Sequence, residues 1–192
     1  MGIGTLYTYT PLPNATYGEA VEQSTSPADE WQRYLDARQK VDDELAQLAL
    51  LDNPLVADIF LVHQEILHDR LLTDGVRAAI DRGTSAATAT QQITSELVQL
   101  FQNLSDDYFA SRSVDIRDVG QRLLAHLSGV SLARQLAALP IGTILLAEDL
   151  TPYDTTHLSP DSVVGIALAG SAPTAHTAIL ARSLAIPLIC SV

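Results

Sequence analysis

Five histidines carry the most versatile chemistry in this sequence: His63, His68, His126, His157 and His176. His176 stands apart because of its setting, Gly170-Ser171-Ala172-Pro173-Thr174-Ala175-His176-Thr177-Ala178-Ile179-Leu180-Ala181-Arg182. A strand-like apolar run gives way to a loop of small residues, and a helix is expected to begin at or just before the histidine. Small residues let a bulky anion approach the backbone, and free N–H groups at a helix N-terminus favour negative charge. A neutral imidazole there is a nucleophile, and its phosphorylated form would be electrostatically welcome. Arg182 either serves that anion or pairs at the surface. The bland alternative is a capping-loop histidine with no chemistry.

The other candidates are weaker. His63-Gln64-Glu65-Ile66-Leu67-His68 has the look of a zinc motif. Its histidines are five apart, about 140° around a helix, so they do not share a face. A structural or partner-contact role is expected instead. His126 suits a helix C-terminus, where positive charge is favourable. Asp42-Asp43 and Asp106-Asp107 read as solvated helix faces. There is no Gly-x-Ser-x-Gly elbow and no Walker loop, and the single lysine, Lys40, falls mid-helix.

The elements that must position these residues fall into two textures. Residues 3–10 alternate and are β-prone, and 11–26, with Pro11, Pro13, Asn14 and Gly18, read as a loop. Ser26-Pro27 opens a helix with a stripe of Trp31, Leu35, Val41, Leu45 and Leu48 running to about Leu51. Asn53-Pro54 opens a second, with a bend at His68-Asp69-Arg70 and a stop at Gly83. Thr84 or Ser85 starts another, with Ile93, Leu97, Leu100, Phe101 and Leu104 on one face, and a last helix runs from about Asp106 to Leu127. That is a four- or five-helix bundle. After Pro140 the pattern becomes short strand (144–147), strand (163–169), helix (174–185) and strand (188–192), which is α/β grammar. The economical architecture is an all-α segment, 21–129, inserted into an α/β domain of 1–20 and 130–192.

Composition narrows the function. The chain has 192 residues, with 11 basic against 23 acidic side chains and a formal charge of −12. That argues against nucleic acid, whose affinity rests on neutralised phosphates, and against docking on an anionic membrane. Most of the acidity lies before residue 141. Cys190 is the sole cysteine, which fits a reducing cytoplasm. Met1-Gly2-Ile3-Gly4 lacks the basic start of a secretory signal.

Four ordered segments together resemble the N-terminal half of Enzyme I of the phosphoenolpyruvate-dependent sugar phosphotransferase system. Thr174 to Pro187 looks like that family's phosphohistidine signature. Ala147-Glu148-Asp149-Leu150-Thr151-Pro152 looks like its Asp-Leu-Thr-Pro segment. Asp106-Asp107-Tyr108 with Val114 to Leu124 looks like its last long helix, and Phe60 to Leu67 matches the helical segment that helps bind the carrier protein HPr.

The resemblance implies a swivelling α/β phosphohistidine domain, incomplete at its C-terminus, interrupted by a helical HPr-binding domain. It implies that His176 carries a phosphoryl group on Nε2 and passes it to a histidine of HPr, that Thr155 bonds the imidazole, and that His63, Leu67, Leu71, Tyr108, Arg112 and Asp115 serve the partner. Phosphoenolpyruvate and Mg2+ are expected only with a C-terminal domain outside this chain, so no cofactor and no metal site are expected within it. The sequence departs from the family at Ser171-Ala172-Pro173, where a Gly-rich triplet with arginine is usual, and at Ala175, where serine is usual. The acidic run after His63 is thinned to Asp69-Arg70-Leu71-Leu72-Thr73-Asp74. Rival readings are a regulatory module that binds HPr without transfer, the phosphotransferase subunit serving dihydroxyacetone kinase, and a swivelling domain of a pyruvate phosphate dikinase relative.

Overall fold

The computed structural model describes residues 4–9, 26–50, 53–104, 107–129, 133–148, 150–169 and 175–191, with backbone alone at 107–111, 133–134 and 175–176. Residues 11–25 of the loop expected at 11–26, and the small-residue loop at 170–174, lie outside the described residues. The chain divides into two compact units, Thr16–Val130 and the pair Met1–Ala15 with Ser131–Val192.

The first unit is all helix: α1 (Pro27–Ala49), α2 (Pro54–His68), α3 (Arg70–Asp81), α4 (Ala86–Gln102) and α5 (Asp107–Ser128). Local chemistry sets the starts. Ser26 and Asp29 form a reciprocal capping box with Pro27 in the first turn, and Asn53, Asp69 and Ser85 each cap the next helix through a side-chain oxygen. Asp69, with extended backbone, ends α2 and caps α3, so the expected bend is a change of helix at one residue. Glu30 of α1 is buried and accepts the Ala86 N–H at 2.7 Å, which satisfies a donor in the first turn of α4 from another helix.

Two expected stripes shift on packing. In α1 the buried set is Glu30, Tyr34, Ala37, Val41 and Leu45, while Trp31, Leu35 and Leu48 are half-buried. Trp31 stacks on Tyr34 with centroids 5.1 Å apart and lies under the Arg77 guanidinium of α3. In α4 the small residues Ala86, Ala89, Thr90 and Thr94 are buried beside Ile93 and Val98, and Leu100 and Leu104 are exposed. Gly120 of α5 explains the preference for small residues. A Cβ there would collide with the Thr94 side chain, so α4 and α5 approach more closely than side chains normally allow.

The second unit comprises β1 (Thr5–Tyr9), α6 (Ala133–Ala137), β2 (Thr143–Ala147), α7 (Pro152–Thr156), β3 (Val163–Leu168), α8 (Ala175–Ser183) and β4 (Leu188–Cys190). The strands form one parallel sheet in the order β1-β2-β3-β4. Thr5 pairs with Thr143 and Tyr9 with Ala147, so a strand from the start of the chain is seated beside one more than a hundred residues later. Alternation on β2 buries Thr143, Leu145 and Ala147, and the core joins Leu145, Ile166 and Leu168 to Leu136, Leu150, Ala181 and Ile186. The short helices α6 and α7 were not expected from the sequence.

Helix α8 stops by a motif also seen at α3. The Gly83 N–H bonds to Ile80 O and the Thr84 N–H to Ala79 O; the Ala185 N–H bonds to Arg182 O and the Ile186 N–H to Ala181 O. Both are Schellman caps, which require a left-handed residue. Gly83 takes φ +93° freely, whereas Ala185 holds φ +55° with a Cβ in the way. Ala185→Gly should therefore raise the stability of the α/β unit by about 1 kcal/mol, seen as a higher urea midpoint at unchanged slope.

Candidate functional site

Two clusters of functional side chains emerge, one in each unit. In the α/β unit the cluster sits on the two helices that follow the carboxyl ends of adjacent strands, where open parallel sheets place their ligands. β2 ends at Ala147 and leads to α7, and β3 ends at Leu168 and leads to α8. The start of α7 is a capping box, with Thr151 Oγ1 accepting the Asp154 N–H and Asp154 Oδ2 accepting the Thr151 N–H, and Pro152 in the first turn. Thr-Pro-x-Asp was the sequence signal for this helix. Asp154 is buried and accepts the Tyr9 hydroxyl of β1 at 2.9 Å, so the sheet edge fixes α7 directly.

That frame holds Thr155 fully buried, its hydroxyl donating to Thr151 O at 2.9 Å. The proton is spent on a carbonyl, so any further bond at Oγ1 is one it accepts. Helix α8 packs on α7, and its Thr177 hydroxyl donates to Leu150 O at 2.7 Å, tying the first turn of α8 to the residue before the α7 cap. His176 is the second residue of α8 and its side chain lies outside the described set. Arg182 sits in the last turn, exposed and without an ion pair among the described residues. It follows His176 by about 9 Å along the axis and about 120° around it, so the two do not share a face. Its charge complements the negative end of α8.

The second cluster crosses the helical unit. His63 of α2 is fully buried, with Nε2 3.2 Å from Asp115 Oδ1 and Nδ1 3.1 Å from Asp118 Oδ2, the latter off the hydrogen-bond axis. Asp115 Oδ2 stands 3.5 Å from Arg112 Nη1. Asp118 accepts Arg122 Nε at 2.9 Å, and Arg122 reaches Glu44 of α1, which also meets His126 at 3.4 Å. Charges therefore alternate from Arg112 to Glu44 across α5, α2 and α1. Phe60 packs edge-on to His63 and lies beneath Arg122.

Burial alone would push the His63 imidazole down, but Asp118 and Asp115 outweigh it and carry it above its usual range. Burial alone would raise the Asp118 carboxyl, and Arg122 and then His63 override it and hold it far below.

A groove of about 290 Å³ opens beside this chain of charges, lined by Val62, Glu65 and Ile66 of α2, Asp69 at the helix junction, Leu71 and Leu72 of α3, Leu97 and Phe101 of α4, and Arg112 and Ile116 of α5. The residues expected at a partner surface separate here. Leu71 is 60% exposed and, with the partly exposed Arg112, lines the groove. His63, Leu67 and Asp115 are buried, so they shape the helices rather than touch a partner. The resemblance implied their partner role, but His63 of α2 turns inward onto α5, which itself carries Asp115. The side chain of Tyr108 lies outside the described residues. His68 bonds Asp42 at 3.1 Å and joins α2 to α1. No described helix is long and apolar enough to cross a membrane.

With fold and clusters in place, comparison with known proteins is decisive about class. Residues 1–112 match the family described as PEP-utilising enzyme, N-terminal, and residues 139–192 match PEP-utilising enzyme, mobile domain. The chain belongs to the PEP-utilising enzyme family. It is similar to a multiphosphoryl transfer protein of Rhodobacter capsulatus, 41% identical over 72% of this chain and 17% of that one. It is also similar to a phosphoenolpyruvate-protein phosphotransferase of Haloferax volcanii, 36% identical over 100% of this chain and 34% of that one. Two solved structures share the fold: an Enzyme I (nEIt) protein solved by NMR, at TM-score 0.63, 31% identity, 86% of this chain and 68% of that one, and an N-terminal domain of Enzyme 1 - Nitrogen, at TM-score 0.67, 27% identity, 95% and 76%. The chain spans 17–34% of the length of these two curated relatives.

The charge chain makes helical-unit stability depend on pH in both directions. His63 binds its proton more tightly folded than unfolded, so its contribution is complete below about pH 6.5 and drains as pH rises through its raised value. Asp118 contributes fully above about pH 3.9 and is lost as pH falls towards its lowered value. Asp118→Asn should cost about 3 kcal/mol, because Arg122 and His63 stay buried with their partner neutralised. Urea unfolding at a series of pH values, followed by Trp31 fluorescence, reads both effects.

Proposed function

We propose that this chain is the phosphoryl-carrying part of a phosphoenolpyruvate-dependent phosphotransferase. In this reading His176 takes a phosphoryl group on Nε2 and hands it to a histidine of an HPr-type phosphocarrier docked on the helical unit. The observation that carries the reading is the Thr155 hydroxyl, buried on α7, the helix that packs against α8, with its proton committed to Thr151 O. An oxygen in that state accepts an imidazole Nδ1–H. A ring so held presents the Nε2 lone pair as nucleophile. The small residues in the sequence before α8 and the positive end of that helix suit the anionic phosphoryl group.

Transfer then needs positioning more than bond-making groups from the protein. In loading from phosphorylated HPr, the His176 Nε2 lone pair attacks phosphorus in line while the P–N bond to the HPr imidazole breaks and its electron pair returns to that ring. Delivery to HPr is the same step reversed. Among the described residues no three His, Cys, Asp or Glu side chains are arranged to hold a metal ion, and the proposed step between imidazoles uses none. The groove beside Leu71 and Arg112 is the docking surface of this reading, and a cytoplasmic setting fits the lone Cys190.

Intact-mass analysis after incubation with phosphorylated HPr tests the proposal. One acid-labile phosphoryl adduct is expected on the native chain and none on His176→Ala. Thr155→Val should still be phosphorylated, but about ten- to a hundredfold more slowly, since a misaligned ring loses much of the positional advantage. An adduct that persists on folded His176→Ala would overturn the assignment.

A further inference from the structure

Both ring nitrogens of His63 confront carboxylate oxygens, and neither carboxylate has a proton to offer. Asp118 is committed to Arg122, and Asp115 faces Arg112. Carboxylates only accept, so Nε2 carries the hydrogen it shares with Asp115, and Nδ1, though off the hydrogen-bond axis, is kept protonated by the Asp118 charge 3.1 Å away. A neutral ring in either tautomer would set a bare lone pair against a carboxylate at a site with no exposure to water, where such a conflict is costly. Relief then requires α2 and α5 to part, because the ring belongs to one helix and both carboxylates to the other.

Those two helices wall the groove. Val62 and Ile66 flank His63 on α2, Arg112 and Ile116 flank Asp115 on α5, and all four line the opening. We infer that His63 is an imidazolium clasp whose proton sets the width of this groove, so that a partner docked there is gripped more weakly once the proton leaves. His63 is a positioning residue, since a docked partner does not reach it. The partner half of the inference rests on the docking reading above, and the clasp itself does not.

Among the described residues, the charged groups around the ring are few. α5 supplies Asp115 and Asp118, with Arg112 and Arg122 behind them. From α1, Glu44 meets Arg122 rather than the ring, and Asp42 is engaged with Gln64 and His68. α3 packs on α2 without placing a titratable group against the ring. The ring of Phe60, on the same helix, closes one side.

The test begins on the intact chain without a partner. Long-range imidazole ¹⁵N spectra should show both His63 nitrogens protonated at about pH 7. The methyl resonances of Val62, Ile66 and Ile116 should move with the His63 midpoint as pH rises. A single neutral tautomer at about pH 7, or groove methyls indifferent to the His63 titration, overturns the clasp. Affinity for an HPr-type phosphocarrier should then fall about tenfold over the His63 titration in the native chain and stay flat in His63→Gln, the amount expected from one linked proton over about one unit. An equal pH dependence in folded His63→Gln overturns the inference. Should His63→Gln not fold, the methyl titration decides alone. Absence of binding at every pH sinks the docking reading, and the methyl shifts still decide the clasp.

Discussion

An arginine and two carboxylates cannot sit inside a helical bundle unless each finds its opposite, and the arrangement of α1, α2 and α5 follows from that demand. Arg122 is the largest side chain in the fully buried set. It is tolerable there because Asp118, Glu44 and the face of Phe60 surround it. Asp118 in turn needs His63, and His63 needs Asp115. Each member is costly alone and acceptable in sequence, which makes the register of α2 against α5 specific where apolar packing by itself would tolerate a slip. The groove inherits its shape from that register.

The α/β unit solves a different problem, the holding of a short helix at the end of a strand. Five residues of helix have little cohesion of their own. α7 is kept by its Thr151–Asp154 box, by Pro152, and by the Tyr9 hydroxyl on Asp154. Thr177 then joins α8 to the residue before that box. The outcome is a buried threonine hydroxyl with a defined donor direction, on a helix packed against the one that bears a histidine. That is the kind of rigid support a positioned imidazole requires.

The sequence exposed some of this plainly. Ser26-Pro27, Asn53-Pro54 and the pair Thr84-Ser85 announce helix starts through chemistry local to a few residues, and the observed caps are Ser26, Asn53 and Ser85. The change from helical to α/β texture was legible because periodicity of 3.6 and of 2 differ within short windows. α7 escaped notice because a five-residue helix has no period to detect, although Thr151-Pro152-x-Asp154 carried its capping signature. Helical periodicity places Leu100 and Leu104 on the α4 stripe, whereas the close approach at Gly120 buries alanines and threonines instead.

The sequence by itself determined the element types, the inserted order of the two textures, and the histidine at the head of α8, because caps, prolines and periodicity act over a few residues. Only tertiary structure decided which polar side chains are interior. The resemblance implied a partner-contact role for His63 and Asp115, and Glu30, Asp118 and Arg122 carry charges that ordinarily face solvent. They are buried because partners up to 78 residues apart meet across helices. The cost of burying a charge is settled by the opposite charge that arrives from another element, and no local window of sequence contains both.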